Sequence, residues 1–250
     1  AVATKTAGFT VDATNSVILC DATSNNITAV LPAASTCTGR QYVFKRTDST
    51  SFVVTIDGNG AETINGAATY ILYSNSETAT VISDGSNWNI IGRYLPIGWG
   101  NYRDTAYTSG SPLAVNNAKV RLTCNSLGST TDETHLPPGS SSFWNASTNL
   151  IIPNGIGGGW DLRVDFVADP AGVSDYMELI LDIGDGSPDI PIVTRTVTFA
   201  KAGASSISIG FPLFAGSTFN TNGGKLFLDT SGSGDSIDIY DIGFTIKRDV

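Results

Sequence analysis

Long apolar runs, histidine, methionine, cysteine and clustered basic residues are all scarce in this chain of 250 residues. Each scarcity excludes something. No stretch approaches the ~18 to 20 uninterrupted apolar residues of a membrane-spanning helix, and the opening AVATKTAGFT has no signal-peptide pattern, so no membrane insertion is expected. Lys and Arg number 14 against 23 Asp and Glu, giving a net charge of −9, and the cations form no cluster. Proteins that bind a nucleic-acid backbone neutralise phosphates with grouped Lys and Arg, so no nucleic acid is expected as a partner. Three cysteines, Cys20, Cys37 and Cys124, are too few and too scattered for a disulfide scaffold, and no C-x-x-C pair marks a zinc site. Buried free thiols are the expected state, with a Cys20–Cys37 bridge as the alternative. A single Met, and no run rich in Leu, Glu, Lys and Ala, make helix scarce.

Gly, Ser, Thr and Asn are abundant, which suits short strands joined by tight turns. The stretch from Gly39 to Gly92 alternates β-prone runs with Asp57-Gly58, Asn65-Gly66 and Asp84-Gly85. These dipeptides readily take the positive φ of hairpin turns, so each predicts a chain reversal. Strands are expected before it at Phe9 to Asp12, Val17 to Cys20 and Ile27 to Leu31, where Pro32 removes a ladder donor. The first half therefore reads as a small antiparallel β-module.

From Pro112 onward the alternation is longer and cleaner. Leu162, Val164, Phe166 and Ala168 oppose Asp161, Arg163, Asp165 and Val167. Met177, Leu179, Leu181 and Ile183 oppose Tyr176, Glu178, Ile180 and Asp182. Period two marks a strand with one face in a core. About eight such strands are enough for a two-sheet sandwich, with a jelly roll the natural choice. In the last strand Ile237 and Ile239 hold one parity while Ile242, Phe244 and Ile246 hold the other. That slip predicts a β-bulge near Tyr240 to Asp241. The fold class is all-β: an antiparallel module over 1–93, an aromatic linker over 94–103 that packs between the halves, and a jelly-roll sandwich over 104–250.

Few groups offer chemistry. His135 lies in a Thr- and Pro-rich loop beside Asp132 and Glu133, and reads as a solvated loop histidine rather than one of an acid–base pair. Neither G-x-S-x-G nor H-E-x-x-H occurs. Asp161, Asp165, Asp175, Glu178, Asp182, Asp185 and Asp189 could supply the paired carboxylates of a polysaccharide-cleaving enzyme, but any acidic β-protein contains such pairs. The β-helix that usually carries that activity needs regular coils, and no regular repeat is visible. Asp57 to Glu62 begins like a calcium loop, yet Ala61 occupies a ligand position, so a hairpin turn is expected. Asp182 to Asp189 is the better oxygen cluster and also reads as a turn. Gly155 to Trp160 reads as a wide turn rather than a phosphate loop, and Trp144 and Trp160 as core rather than sugar platforms. No catalytic residue, metal ligand or cofactor is assigned, and no receptor-binding residue is singled out.

The order I-T-A-V-L-P-A (Ile27 to Ala33), G-R-x-Y-x-F-K (Gly39 to Lys45), V-T-I-D-x-N-G-x-E-T-I-N-G and S-D-G-x-N-W-x-I-I-G resembles β-modules of bacteriophage tail fibres, spikes and other virion surface proteins. This likeness covers roughly residues 17 to 92. The second half, through WDLRVDFVADPAG, LILDIGDG and FPLFAGSTFNTNGGKLFLDTSGSGDSIDIYDIGFTIKRD, resembles the trimeric jelly-roll heads, related in shape to tumour necrosis factor, of phage fibres and head decorations. The resemblance implies a non-enzymatic homotrimer on the virion surface, assembled in the host bacterial cytoplasm, with other virion proteins and a host-surface glycan or protein as partners. A tail fibre or spike is the first expectation and a capsid head decoration the second; a secreted adhesin or lectin is the third. Without an initiator Met, the chain is expected to be a processed product or the distal part of a longer fibre.

Overall fold

The computed structural model describes residues 1–137, 140–153, 158–173, 175–186 and 188–249. Its first half is wound from strands too short to bury a face alone. β1 (Val2–Lys5), β2 (Phe9–Thr10), β3 (Val17–Cys20), β4 (Ile27–Val30), β5 (Gln41–Arg46) and β6 (Val54–Asp57) fall alternately into two sheets. The pairs β1–β3, β3–β5, β2–β4 and β4–β6 are all parallel. Parallel neighbours need a crossover between them. Each crossover here is itself a strand of the opposite sheet, so the chain climbs in rungs, as a solenoid does.

The remaining strands turn back. β7 (Thr69–Leu72), β8 (Thr78–Ser83) and β9 (Trp88–Tyr94) form the antiparallel pairs β6–β7, β5–β8 and β8–β9. Two of the three turn dipeptides take the expected positive φ, Asn65 and Gly66 at +49° and +84° and Gly85 at +96°, whereas at Asp57-Gly58 it falls two residues later, on Gly60 at +63°, because Asp57 still belongs to β6. The module is thus antiparallel in its later strands and parallel in its rungs, a part that the sequence reading does not anticipate. Its core includes Ile18, Ile27, Phe44, Ile56, Val81 and Trp88, all buried. Each such side chain contributes about 1.5 to 3 kcal/mol through removal from water.

One charged group sits inside this module. Arg46, fully buried, holds Asp48 through two contacts, Nε to Oδ2 at 3.1 Å and Nη2 to Oδ1 at 2.5 Å. Its Nη1 donates to the Tyr73 carbonyl at 2.6 Å, while Asp48 accepts from the amides of Ala22 at 2.7 Å and Thr50 at 3.1 Å. Successive rungs and the hairpin above them are therefore joined through one guanidinium and one carboxylate.

The second half is a sandwich. After β10 (Gly98–Arg103) and the short β11 (Leu113–Asn116) come β12 (Lys119–Arg121), the small hairpin β13 (Trp144–Asn145) and β14 (Leu150–Ile151), then β15 (Gly159–Pro170) and β16 (Tyr176–Asp182). β17 (Pro191–Thr198), β18 (Ser205–Phe214), α1 (Ser217–Asn222), β19 (Lys225–Asp229) and β20 (Ser236–Arg248) complete it. One sheet has the order β10-β20-β15-β18, with β11 also on β20, and the other β12-β19-β16-β17. Taking β10, β12 and β15 to β20 as the eight principal strands, first pairs with last, second with seventh, third with sixth and fourth with fifth, all antiparallel. This nested pairing of one long folded hairpin is the jelly roll.

Its core follows the alternation except at the end of β16, where Ile180 and Asp182 of the opposite face are buried as well. Leu162, Val164, Phe166 and Ala168 of β15 are buried against Met177, Leu179 and Leu181 of β16. The phase slip in the last strand is a bulge: Asp165 faces Gly243 but Val167 faces Tyr240, and Asp241 takes φ of +54°. Among the described residues no helix is long and apolar enough to cross a membrane.

The stretch 94–103 is mostly strand. Tyr94 ends β9, Gly98 to Arg103 form β10 on the head sheet, and only Leu95 to Ile97 connect them. Pro96 is buried, whereas Ile91, Tyr94 and Ile97 are exposed. Where the halves meet, the buried Arg248 of β20 lies over the Trp160 ring at 5.5 Å, and the charges of Glu77 and Arg46 act on it.

Candidate binding cleft on the jelly-roll sheet

The groups singled out in the sequence are placed mainly in structural roles. Trp144 and Trp160 are buried, the first donating to the Cys124 carbonyl at 2.9 Å and the second edge-on to Phe143 at 4.8 Å. Neither presents a face to a sugar. Cys20, Cys37 and Cys124 are free, Cys20 and Cys124 buried and Cys37 half-buried. Burial pushes the Cys20 thiol up to about 12 and the Cys124 thiol to about 11.

Glu62 accepts from the Ala34 amide at 2.9 Å and from the Trp88 indole at 3.2 Å. Asn59 to Glu62 form a turn closed by the Glu62 amide donating to the Asn59 carbonyl at 3.1 Å, and Asp57 ends β6. Asp182 is buried and accepts from the Gly184 and Ile190 amides, while Asp189 pairs with Lys119 at 3.0 Å. Among the described residues no group of three or more His, Cys, Asp or Glu is placed to hold a metal ion. Ser187 of this turn and residues 155–157 of the Gly-rich stretch lie outside the described residues.

His135, Asp132 and Glu133 do not converge. His135 stacks on Trp99 with centroids 4.7 Å apart and planes at 25°, and the Glu133 carboxylate is taken by the Ser142 hydroxyl. Asp132 accepts from the Thr134 amide at 2.8 Å and hydroxyl at 2.7 Å. Those two bonds, with burial opposing and His135 adding a little, hold its carboxyl below the ordinary range.

What these neighbours do build is one wall of a cleft. Residues 132–135 run beside β10 and bond to it: the Asn101 and Asp132 amides each donate to the other's carbonyl at 2.8 Å, and the Trp99 amide donates to the His135 carbonyl at 3.0 Å. Gly98 has no side chain because a Cβ there would meet the His135 carbonyl oxygen at 2.4 Å. Period two then puts Trp99, Asn101 and Arg103 on the outer face of the sheet. Register brings Thr245 of β20 opposite Asn101, and Arg163 of β15 opposite Thr245. With Thr130 and Asp132 they line an open cleft of about 470 Å³.

The cleft's polar groups are mostly fixed. Asn101 donates to the Thr130 carbonyl at 2.6 Å and accepts from the Thr245 hydroxyl at 3.2 Å. Arg163 is held by Asp165 at 3.0 Å and Thr245 at 3.2 Å, and Asp165 also accepts from Ser208 at 2.6 Å. Arg163 and Thr245 also border a second hollow of about 390 Å³, which includes Asp161, Phe211 and Lys247. At that end Asp161 shares a hydrogen bond with Asp249, which raises its carboxyl, and Lys247 pairs with Asp249. A flat aromatic edge beside preoriented amide, guanidinium and hydroxyl groups suits ligands with both C–H faces and hydroxyls. It supplies neither a nucleophile with a base nor a water-activating pair.

Of these lining residues the sequence reading names only Asp132 and Arg163 and the aromatic linker over 94–103, and it does not join them. The available signal was the shared parity of Trp99, Asn101 and Arg103, hidden by reading that stretch as linker.

No protein family matches this chain, and no curated protein matches it. Among solved structures it is similar to Eiger TNF from S. frugiperda, with 10% identity over 62% of this chain and 94% of that one, at a TM-score of 0.37. It is also similar to PRD1 vertex protein P5, with 15% identity over 68% of this chain and 81% of that one at 0.32. A third is the infectious bursal disease virus Gx strain structure, with 8% identity over 72% of this chain and 42% of that one at 0.29. With scores this low, the fold assignment rests on the strand pairing of the chain itself.

Proposed function

We propose that this chain is a non-enzymatic structural protein of a tailed-phage virion surface, a homotrimeric fibre or spike whose jelly-roll half binds the host cell surface. The observation that carries the binding part is the cleft on the outer face of the β10-β20-β15-β18 sheet, open and lined by prefixed polar groups around Trp99. The sequence resemblance supports the virion setting. In this reading residues 1–93 form the attachment or shaft unit and the sandwich the distal one; each has its own hydrophobic cluster, and the two clusters share no residue.

Three-fold contact is assigned to the neck. Ile91, Tyr94 and Ile97 are exposed at 54%, 42% and 59% along β9 and the connector, next to a hollow lined by Tyr70, Ile90 and Arg93. Three copies meeting there cover apolar surface and a bare sheet edge while leaving the head cleft open. Three weak sites then act together by avidity.

Immunogold microscopy of virions from the source phage, with antibody to the full chain, tests the setting. Label at the tail supports a fibre or spike. Label over the whole capsid replaces it with a head decoration, and unlabelled particles overturn the virion reading. Purified chain is expected to block phage adsorption and to have three times the 26.1 kDa chain mass in solution, with Ile97→Lys reducing that mass. Undiminished adsorption in excess chain would overturn the host-binding part.

A further inference from the structure

The chain carries a net charge of −9, yet the cleft is lined by two arginines and one aspartate. Thr134 occupies only the Oδ1 of Asp132, leaving Oδ2 to accept, and Arg163 is held by Asp165 and Thr245. Arg103 is different. Its backbone is held by Thr131 and Gly128, but its guanidinium makes no hydrogen bond or ion pair among the described residues. It is half-buried on a seat made for it: Gly243, its cross-strand partner, leaves room where a Cβ would stand 2.4 Å from Nη1 and 2.8 Å from Cζ. Gly128 clears the other side, where a Cβ would meet the Arg103 Cβ at 2.5 Å. Two positions without side chains thus hold a free cationic fork in the wall of a cleft that also offers an indole.

We propose that this cleft takes an acidic sugar, with the ligand's carboxylate on the Arg103 guanidinium, its ring against Trp99 and its hydroxyls on Asn101, Asp132 and Thr245. This assignment rests on the host-binding reading above and narrows its ligand. A guanidinium matches a carboxylate with two parallel hydrogen bonds, a geometry that a neutral sugar cannot use. A neutral ligand would leave the fork unpaired, whereas an acidic one completes it, so discrimination against the neutral analogue follows from the site's own unsatisfied donors.

The test is binding of the full chain to sialyllactose and to a glucuronate-terminated disaccharide, against lactose and a sulfated lactose, by titration calorimetry or saturation-transfer NMR. Carboxylated sugars are expected to bind and lactose to bind at least tenfold more weakly, with affinity falling as salt rises. Arg103→Gln is expected to lower affinity for the carboxylated sugar by about tenfold to a hundredfold while leaving the melting temperature near the parent's. Gly243→Ala keeps the charge but pushes the guanidinium off its seat, and is expected to give a similar loss with a folded chain.

Equal affinity for acidic and neutral sugars, or Arg103→Gln without effect, overturns the acidic-sugar assignment while host binding stands. Preference for the sulfated over the carboxylated sugar overturns the carboxylate and keeps the anion seat. Binding of no sugar, with Trp99 and Arg103 protected from labelling only in the oligomer, makes the cleft a contact between copies and overturns both readings.

Discussion

Removing the Asp48 carboxylate is expected to unfasten the N-terminal module while sparing the sandwich. In Asp48→Ala the buried Arg46 keeps its bonds to the Tyr73 carbonyl at 2.6 Å and the Thr50 carbonyl at 2.8 Å but loses its counter-charge. Breaking a buried pair from one side costs about 3 to 5 kcal/mol. The two retained carbonyls pull the figure down, and the amides of Ala22 and Thr50, stripped of their acceptor, push it up by about 1 kcal/mol each. The expected loss is therefore about 4 kcal/mol, a large share of the ~5 to 15 kcal/mol that holds a domain together. Hydrogen exchange read by mass spectrometry resolves it: amides of β3 to β6 should lose protection while those of β15 and β16 do not. The double change Arg46→Met with Asp48→Leu should recover most of the loss, because no lone charge remains. Burial opposes ionisation of Asp48, but bonds from Arg46, Thr50 and Ala22 outweigh it and hold its carboxyl below the ordinary range. The carboxylate's contribution is thus present above the ordinary carboxylate pKa of about 3.9 and vanishes as pH falls through the lower folded value. A loss under about 1 kcal/mol, or equal deprotection of the sandwich, would refute this account.

Other consequences are as direct. Burial, ahead of the opposing Tyr73 and Ser74 amide bonds and the Arg248 charge, raises the Glu77 carboxyl, so its contribution is present in acid and lost as pH rises through the folded value. Glu77→Gln, whose amide oxygen can still accept those two amides, should gain stability relative to the parent between acid and neutral pH; a pH-independent difference in urea midpoint would refute that. A thiol-reactive chromophore should label Cys37 quickly and Cys20 and Cys124 only on unfolding, and a reductant should leave the melting temperature unchanged because the three thiols are free. Gly58→Ala places a Cβ 2.2 Å from the Glu62 carbonyl oxygen and should cost about 1 to 3 kcal/mol by thermal melt, against no change if the turn can open. Asp241→Gly should stabilise the sandwich by up to about 1 kcal/mol, since the bulge holds Asp241 at φ of +54°; a loss in the melt would show that its side chain matters more than its backbone.

The parts of the fold that depend on local alternation were legible. Leu162 to Ala168 and Met177 to Leu181 point inward as their period requires, and the parity slip between Ile239 and Ile242 marks a real bulge. Rungs were not legible because alternation says which face is buried, not which strand lies alongside or in which direction. The rung steps are also unequal, Val2 pairing with Val17 but Val17 with Val43, so no fixed period can be found. The cleft fails to show for a related reason. Trp99, Arg163 and Thr245 become neighbours only through the register of β10, β20 and β15, and Arg103 stands out only once Gly243 is known to lie across from it.

β10 has a mechanical meaning. The strand that bears Trp99, Asn101 and Arg103 continues through Leu95 to Ile97 directly into β9 of the module. On the proposed binding reading, a ligand held at Trp99 and Arg103 pulls on covalent backbone that runs directly into the N-terminal module. Its ladder to β20, Gly98 to Arg103 against Arg248 to Gly243, steadies that backbone from the side. Load on that strand would then be shared between the peptide chain and one ladder, as a hook forged in one piece with its shank carries weight that a riveted one would not.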